Sequence, residues 1–145
     1  MMILRITGLA CLLSMASVAM AEPLDGSKWR TFDDADGKPK AVVQISSKGG
    51  VMTGTIVEQL GVPAITNCTK CSGALKDRPL VGLPIIYGLK ANGKNEYDHG
   101  AILDPATGKT YKLKGKLSAD GQTLELRGFI GFSMLGRNQV WKRVK

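Results

Sequence analysis

The sequence has 145 residues, 43% of them hydrophobic, and a formal net charge of +8 at pH 7. This length is enough for one domain with a single core. The positive charge comes without a nucleic-acid-binding motif or interleaved aromatic and basic residues, so we expect no nucleic-acid partner. Contact with anionic components of a cell envelope stays open.

Residues 1–21 have the features of a secretory signal peptide. Arg5 supplies the positive start, residues 9–20 are apolar, and Ala19 and Ala21 frame a small-x-small cleavage site. The apolar run is too short to cross a bilayer as a helix. We therefore predict that this segment is cleaved and that the protein is periplasmic or secreted.

The mature domain is predicted to be residues 22–145. A lipid anchor on Cys11 is disfavoured, because Gly8 stands where a bacterial lipobox has a large aliphatic residue. Loss of Arg5 with the signal peptide lowers the net charge of the domain by one, and the domain remains strongly basic.

Short strands with alternating apolar and polar residues account for most of this domain. In the second strand, Ala41, Val43 and Ile45 share one face, as residues two apart do in a strand. Turn residues such as Asn-Gly and Asp-Gly separate the strands. Eight strands are predicted: Gly26–Phe32, Pro39–Ser46, Val51–Glu58, Leu80–Lys90, Glu96–Leu103, Lys109–Leu117, Thr123–Arg127 and Asn138–Val144.

The fourth strand is predicted to have an apolar face, although it contains a proline that indicates an edge or a bulge. The residues expected on that face are Val81, Leu83, Ile85, Tyr87 and Leu89.

The sixth strand has the clearest alternation. Tyr111, Leu113 and Leu117 lie on one face, and three lysines, Lys112, Lys114 and Lys116, lie on the other. Sequential hairpins of this kind predict an all-β fold, a single antiparallel up-and-down barrel of about eight strands. Such a barrel has an interior just wide enough for side chains or for one small ligand.

The segment 59–79 breaks the strand pattern and contains Cys68 and Cys71. Three interpretations are open. The pair can form a structural disulfide, as expected in an oxidising compartment. It can act in thiol–disulfide exchange, although no helix follows to lower a thiolate pKa. A zinc site needs about four ligands, which this sequence does not supply around the pair, so we predict no metal.

No catalytic constellation stands out elsewhere. His99 is next to Asp98, but neighbours on a strand face opposite sides of the sheet. Asp33, Asp34 and Asp36 lack the spacing of a calcium loop, and Asp104 is typical of a turn. We therefore predict a protein that is not an enzyme and has no cofactor.

The chain resembles the bacterial exported family known as domain of unknown function 2147. Its order of short motifs carries this resemblance: Trp29 with Asp33-Asp34, Gly54-Thr55-Ile56-Val57, Cys68-x-x-Cys71, Pro79-Leu80-Val81-Gly82-Leu83, Gly100-x-Ile102-Leu103-Asp104-Pro105, Gly108-Lys109-Thr110-Tyr111, Leu126-Arg127-Gly128-Phe129-Ile130-Gly131, Leu135-Gly136-Arg137 and Trp141-x-Arg143. The resemblance implies a lipocalin-like barrel and export, and no established activity. It also implies closure of the barrel by an arginine, Arg143, stacked on an early tryptophan, Trp29.

Aromatic residues are the candidates for contact with a ligand, although they can equally fill the barrel. The predicted ligand-binding residues are Trp29, Tyr87, Tyr111, Phe129 and Trp141. Binding of a small hydrophobic or amphipathic molecule without chemistry is the favoured function, with the segment Phe129–Leu135 as a lid.

Two alternatives remain open, and the oligomeric state is not predicted. One is an envelope interaction protein with a filled barrel that acts through its basic face or the 59–79 loop. The other is a thiol–disulfide oxidoreductase that uses Cys68 and Cys71.

Overall fold

Eight antiparallel strands form the part of the chain that the computed structural model describes, residues 24–131 and 136–145. The predicted signal peptide lies outside these residues. The strands are β1 (Lys28–Phe32), β2 (Pro39–Lys48), β3 (Val51–Gln59), β4 (Pro84–Ala91), β5 (Glu96–Asp104), β6 (Lys109–Leu117), β7 (Thr123–Phe129) and β8 (Gly136–Val144).

Each strand pairs with the next in sequence, and β8 pairs with β1, which closes the barrel. The predicted all-β, up-and-down barrel is therefore confirmed. A three-residue 3₁₀ turn, Gly73–Leu75, is the one helical element among the described residues.

The alternation read from the sequence places most inward side chains correctly. Val43 and Ile45 on β2 are fully buried. Leu113 on β6 and Leu124 on β7 are also buried, with at most 1% of each residue exposed. A register shift between Val42 and Val43 leaves one extra residue, Val57, on β3, and at this bulge Ala41, Val42 and Val43 are all buried. The inner faces of the strands together form one apolar core.

The fourth strand starts later than predicted. It begins at Pro84, and the four residues before it run as turn and loop. Pro84 lacks an N–H and suits the first position of a strand. Val81 is consequently 51% exposed instead of facing the interior.

The predicted shared face on this strand is only partly correct, because Leu83, Ile85 and Leu89 are buried but Val81 and Tyr87 are exposed. Ile86 and Leu89 are both fully buried although they are three residues apart, and Tyr87 is exposed. Gly88 has a φ of +66°, and a Cβ atom built on it would be 3.5 Å from the carbonyl oxygen of His99, whose φ is +62°, so both strands depart from extended geometry in this region. Register shifts against β3 leave one extra residue on β4 between Pro84 and Ile86 and another between Ile86 and Leu89. These bulges change the alternation and place Tyr87 on the outer wall.

The strand directions give the barrel two different ends. We call one end the mouth; it carries the loops 33–38, 60–83 and 105–108, together with the end of β7 and the start of β8. We call the other end the base; it carries the turns 49–50, 92–95 and 118–122 and the start of β1. Residues 132–135, in the predicted lid segment, lie outside the described part of the chain.

Candidate functional site

A cavity of about 730 Å³ extends from the mouth into the barrel. Its wall is mainly apolar and is built from inward residues of all eight strands. The deeper part of the wall includes the buried side chains Val43, Ile56, Leu113, Leu126 and Trp141. The side chains of the described residues thus fill the barrel only partly.

Gly128 contributes to the empty space. It lies on the cavity wall, and a Cβ atom built on it would be 3.6 Å from both Ile102 Cγ2 and Tyr111 Cβ, an ordinary contact distance. A larger residue at this inward position would occupy part of the cavity. Its backbone conformation does not require glycine, since no positive φ occurs there.

Polar groups on the cavity wall are few and occur towards the mouth. Trp141 donates its indole N–H to Gln139 Oε1 at 3.0 Å, so this pair is satisfied within the wall. Tyr111 is half-buried beside the cavity, and no hydrogen bond joins its hydroxyl to a described residue. The Tyr111 hydroxyl is therefore available to a guest molecule.

The five residues predicted to contact a ligand fall into two groups in the structure. Tyr111, Phe129 and Trp141 line the cavity, and Trp29 and Tyr87 do not. Tyr87 is on the outer wall, where its hydroxyl donates to the Pro84 carbonyl at 3.0 Å. Partial burial raises the pKa of the Tyr87 hydroxyl.

Trp29 instead lies at the base, where it is fully buried. It pairs directly with Arg143 across β1 and β8, and the Arg143 guanidinium carbon is 4.7 Å from the centroid of the indole ring. The indole N–H donates to Ser27 Oγ at 2.7 Å. Arg143 Nε donates to the Gly121 carbonyl at 2.7 Å, which joins the last strand to the turn after β6.

Tyr97 is close to this group at the base. Burial raises the pKa of its hydroxyl, and the nearby Arg143 charge partly offsets the increase.

An ion pair fixes the rim of the mouth. Arg137 Nε on β8 is 3.1 Å from Asp34 Oδ2 in the loop 33–38, and Gln139 Nε2 donates to the same carboxylate at 3.3 Å. The neighbouring Asp33 accepts the Ala35 N–H at 2.8 Å, and this hydrogen bond lowers the pKa of the Asp33 carboxyl. The aspartates therefore shape a turn, and no cluster of metal-ligating groups occurs among the described residues.

The predicted disulfide between Cys68 and Cys71 is confirmed. Both cysteines are buried, at 0% and 5% exposure, in the long loop of the mouth. The Cys68 N–H donates to the Arg78 carbonyl, and its carbonyl accepts the Asp77 N–H. These hydrogen bonds join the two arms of the loop, and the disulfide closes the short turn from Cys68 to Cys71 beside them. Burial of both sulfurs is unfavourable for thiol exchange.

The same loop packs on the turn between β5 and β6. A Cβ atom at Gly108 would collide with the Lys70 carbonyl group, and Gly108 has a φ of +74°. Cys68 Sγ is also 3.8 Å from the Pro105 carbonyl oxygen. The loop is therefore held against the mouth at several points.

Replacing both cysteines by alanine is expected to lower the free energy of unfolding by about 2 kcal/mol, because the short closed loop restricts the unfolded chain. Alanine avoids burying two hydroxyl groups. Denaturant titration of the variant and the parent measures the effect. Affinity for any cavity ligand should change little, and lost binding with unchanged stability would contradict a purely structural role.

The remaining catalytic candidates have structural partners. Asp98 Oδ1 accepts the backbone N–H of His99 at 2.7 Å, which supports the positive φ of that residue. Asp104 Oδ1 accepts the Ala106 N–H at 3.0 Å in a turn. In the two described ranges, no helix is long and apolar enough to cross a membrane.

The sequence and the fold both have recognisable relatives. A family model described as an uncharacterised protein conserved in bacteria, DUF2147, matches residues 27–143. The chain belongs to this family. A search of the curated proteins finds no match to it. The resemblance seen in the sequence motifs is thus confirmed for nearly the whole domain.

A solved structure shares the fold of this DUF2147 protein. Protein HP1028 from the human pathogen Helicobacter pylori, which belongs to the lipocalin family, aligns with a TM-score of 0.75. The alignment covers 87% of this chain and 85% of that chain at 20% identity. At this identity the similarity establishes a lipocalin-like fold.

Sequence reasoning missed several residues of the mouth. Residues 60–65 line the cavity entrance, and within them Val62 is 99% exposed. Ile130, 62% exposed, follows β7 beside the same entrance and was not missed, since it belongs to the predicted lid segment Phe129–Leu135. The strand directions could have predicted that residues 60–65 lie at the mouth, because every second connection of an up-and-down barrel lies at the same end.

Proposed function

We propose that this protein is an exported carrier that binds one small hydrophobic or amphipathic molecule inside the barrel and performs no chemistry on it. The observation that carries this proposal is the apolar cavity of about 730 Å³, open at the mouth. Cavities that hold small ligands typically measure about 300–1,000 Å³. A cavity of this size counts against the alternative of a filled barrel.

The distribution of polarity favours an amphipathic guest. The deep wall is apolar, so burial of a hydrocarbon or aromatic part would be driven by the hydrophobic effect. The rim carries Lys38, Lys40, Asp36 and Arg137, and Tyr111 offers a hydroxyl below it. The ligand would bind with its apolar part inward and its polar group near these side chains.

The absence of chemistry rests on the groups beside the cavity. Its lining contains no cysteine, serine or histidine, and its carboxylates lie at the rim. Asp33 and Asp104 on this rim accept backbone N–H groups in turns. No nucleophile and base are therefore brought together along the described wall.

Native mass spectrometry of protein purified from its own cells tests the proposal, followed by solvent extraction and identification of released molecules. We expect a discrete mass above that of the polypeptide, lost after extraction. The extracted protein should then bind an apolar fluorescent probe with one site per chain. A bare polypeptide mass in every preparation, together with no saturable probe binding, would contradict a carrier function.

A further inference from the structure

The positive charge of this protein is concentrated on one side of the barrel. Strands β6, β7, β8 and β1 are neighbours in the closed sheet and carry ten lysines and arginines but one acidic residue, Glu125. Strands β2 to β5 carry three lysines and four acidic residues. This asymmetry does not follow from the fold, because both halves are exposed barrel wall.

Most of the cations on the basic side point outward. Their positions alternate with buried residues such as Leu113 and Trp141, so they lie on the solvent face. We call this set the basic face; its cations are Lys28, Arg30, Lys112, Lys114, Lys116, Arg127 and Lys142. With Glu125, the basic face has a net charge of +6, against +8 for the whole chain.

Like charges meet directly across this face. Lys114 lies opposite Arg127, and Lys142 lies opposite Arg30. Directly opposed like charges destabilise a sheet. The lysines of the face form no ion pair with any described residue, Glu125 included. Lys116 lies opposite Glu125, so the face has two pairs of opposed like charges and one pair of opposed unlike charges. The surplus of positive charge favours an external anionic partner.

Exposed apolar residues accompany these charges. Val140 on β8 is 45% exposed in the middle of the basic face. Lys114 Nζ lies 5.6 Å from the ring centroid of Phe129, and Ile130, 62% exposed, follows at the mouth. Phe129 and Ile130 also line the cavity entrance. The face thus ends in an apolar edge that leads into the cavity.

We propose that the basic face docks on an anionic phospholipid bilayer, with the Phe129–Ile130 edge of the mouth against the membrane surface. Spread cations next to exposed apolar groups match a layer of anionic headgroups over hydrocarbon. A soluble acidic protein would instead favour clustered cations with fixed hydrogen-bonding geometry. Docking requires no cavity ligand, so it can be tested independently of the carrier function.

Binding to phosphatidylcholine vesicles with and without phosphatidylglycerol tests this proposal. Near a membrane surface each basic residue contributes about fivefold to partitioning, so replacing Lys112, Lys114 and Lys116 by glutamine should lower binding to the anionic vesicles roughly 100-fold. The matched control replaces Lys48, Lys90 and Lys94, exposed lysines from the other side and base of the barrel, and should largely keep wild-type binding. Circular dichroism verifies that both variants are folded.

Glu125→Gln is a second test variant, and its expected effect is a gain of binding instead of a loss. Removing the one acidic residue of the face should strengthen binding to anionic vesicles about fivefold. Equal loss in both triple variants would overturn the proposal, because net charge alone would then explain binding. Equal binding to neutral vesicles would also overturn it. So would retention on an immobilised acidic polypeptide without vesicle binding, which would assign the face to a protein partner.

Discussion

Gly128→Leu is expected to weaken binding of a cavity ligand roughly 200-fold. A leucine side chain would displace about four carbon atoms of the guest, and each buried methylene contributes about 0.8 kcal/mol. Gly128 lies on the cavity wall, and its Cβ position is 3.6 Å from the nearest atoms, so the first carbon of the new side chain fits. Titration with an apolar fluorescent probe measures the change in affinity.

Ala101→Leu is the matched control for this variant. Ala101 pairs with the exposed Tyr87 and the exposed Lys112, so it lies on the outer wall, where it is half-buried. A leucine there adds apolar bulk without entering the cavity, and affinity should be unchanged. Unchanged affinity in Gly128→Leu, with the variant folded, would show that the probe binds elsewhere on the protein.

Trp29→Ala is expected to lower the free energy of unfolding by about 3–5 kcal/mol, the usual cost of truncating a fully buried tryptophan. It removes the largest buried side chain at the base and the ring on which Arg143 stacks. A loss of this size approaches the whole stability of a small domain. Denaturant titration and thermal melting both report it.

Trp29→Phe separates packing from hydrogen bonding at the same site. It keeps an aromatic ring beneath Arg143 and loses the N–H donated to Ser27, so its cost should be much smaller than that of Trp29→Ala. Because Trp29 is not on the cavity wall, the folded Phe variant should keep its affinity for ligand. Equal destabilisation by both substitutions would contradict the role of ring stacking at the base.

The strand pattern could be predicted from sequence because inward and outward side chains alternate without interruption along β6 and β7. Tyr111, Leu113 and Leu117 alternate with lysines, and no bulge interrupts the pairing of Lys112–Leu117 with β7. On β4 this alternation fails. The departure there comes from two extra residues on β4 opposite β3, one between Pro84 and Ile86 and one between Ile86 and Leu89, and no local pattern in the sequence indicates them.

The candidate site was harder to predict, because alternation states which face a residue occupies and not its depth in the barrel. Trp29 and Tyr111 both point inward, but Trp29 is near the base end of β1 and Tyr111 near the mouth end of β6. Strand direction distinguishes the two. The contact between Lys70 and Gly108 depends on loop packing across 38 residues of sequence, which composition and periodicity do not report.

Closure between β1 and β8 also sets the order of events during synthesis. The last strand completes the barrel by pairing with both β7 and β1, so the cavity cannot exist before Val144 leaves the ribosome. Until then the nascent chain has two open edges, one on β1 and one on β7, and open edges invite aggregation. A chain with this topology gains from being kept unfolded until its synthesis is finished, and then folding in one step.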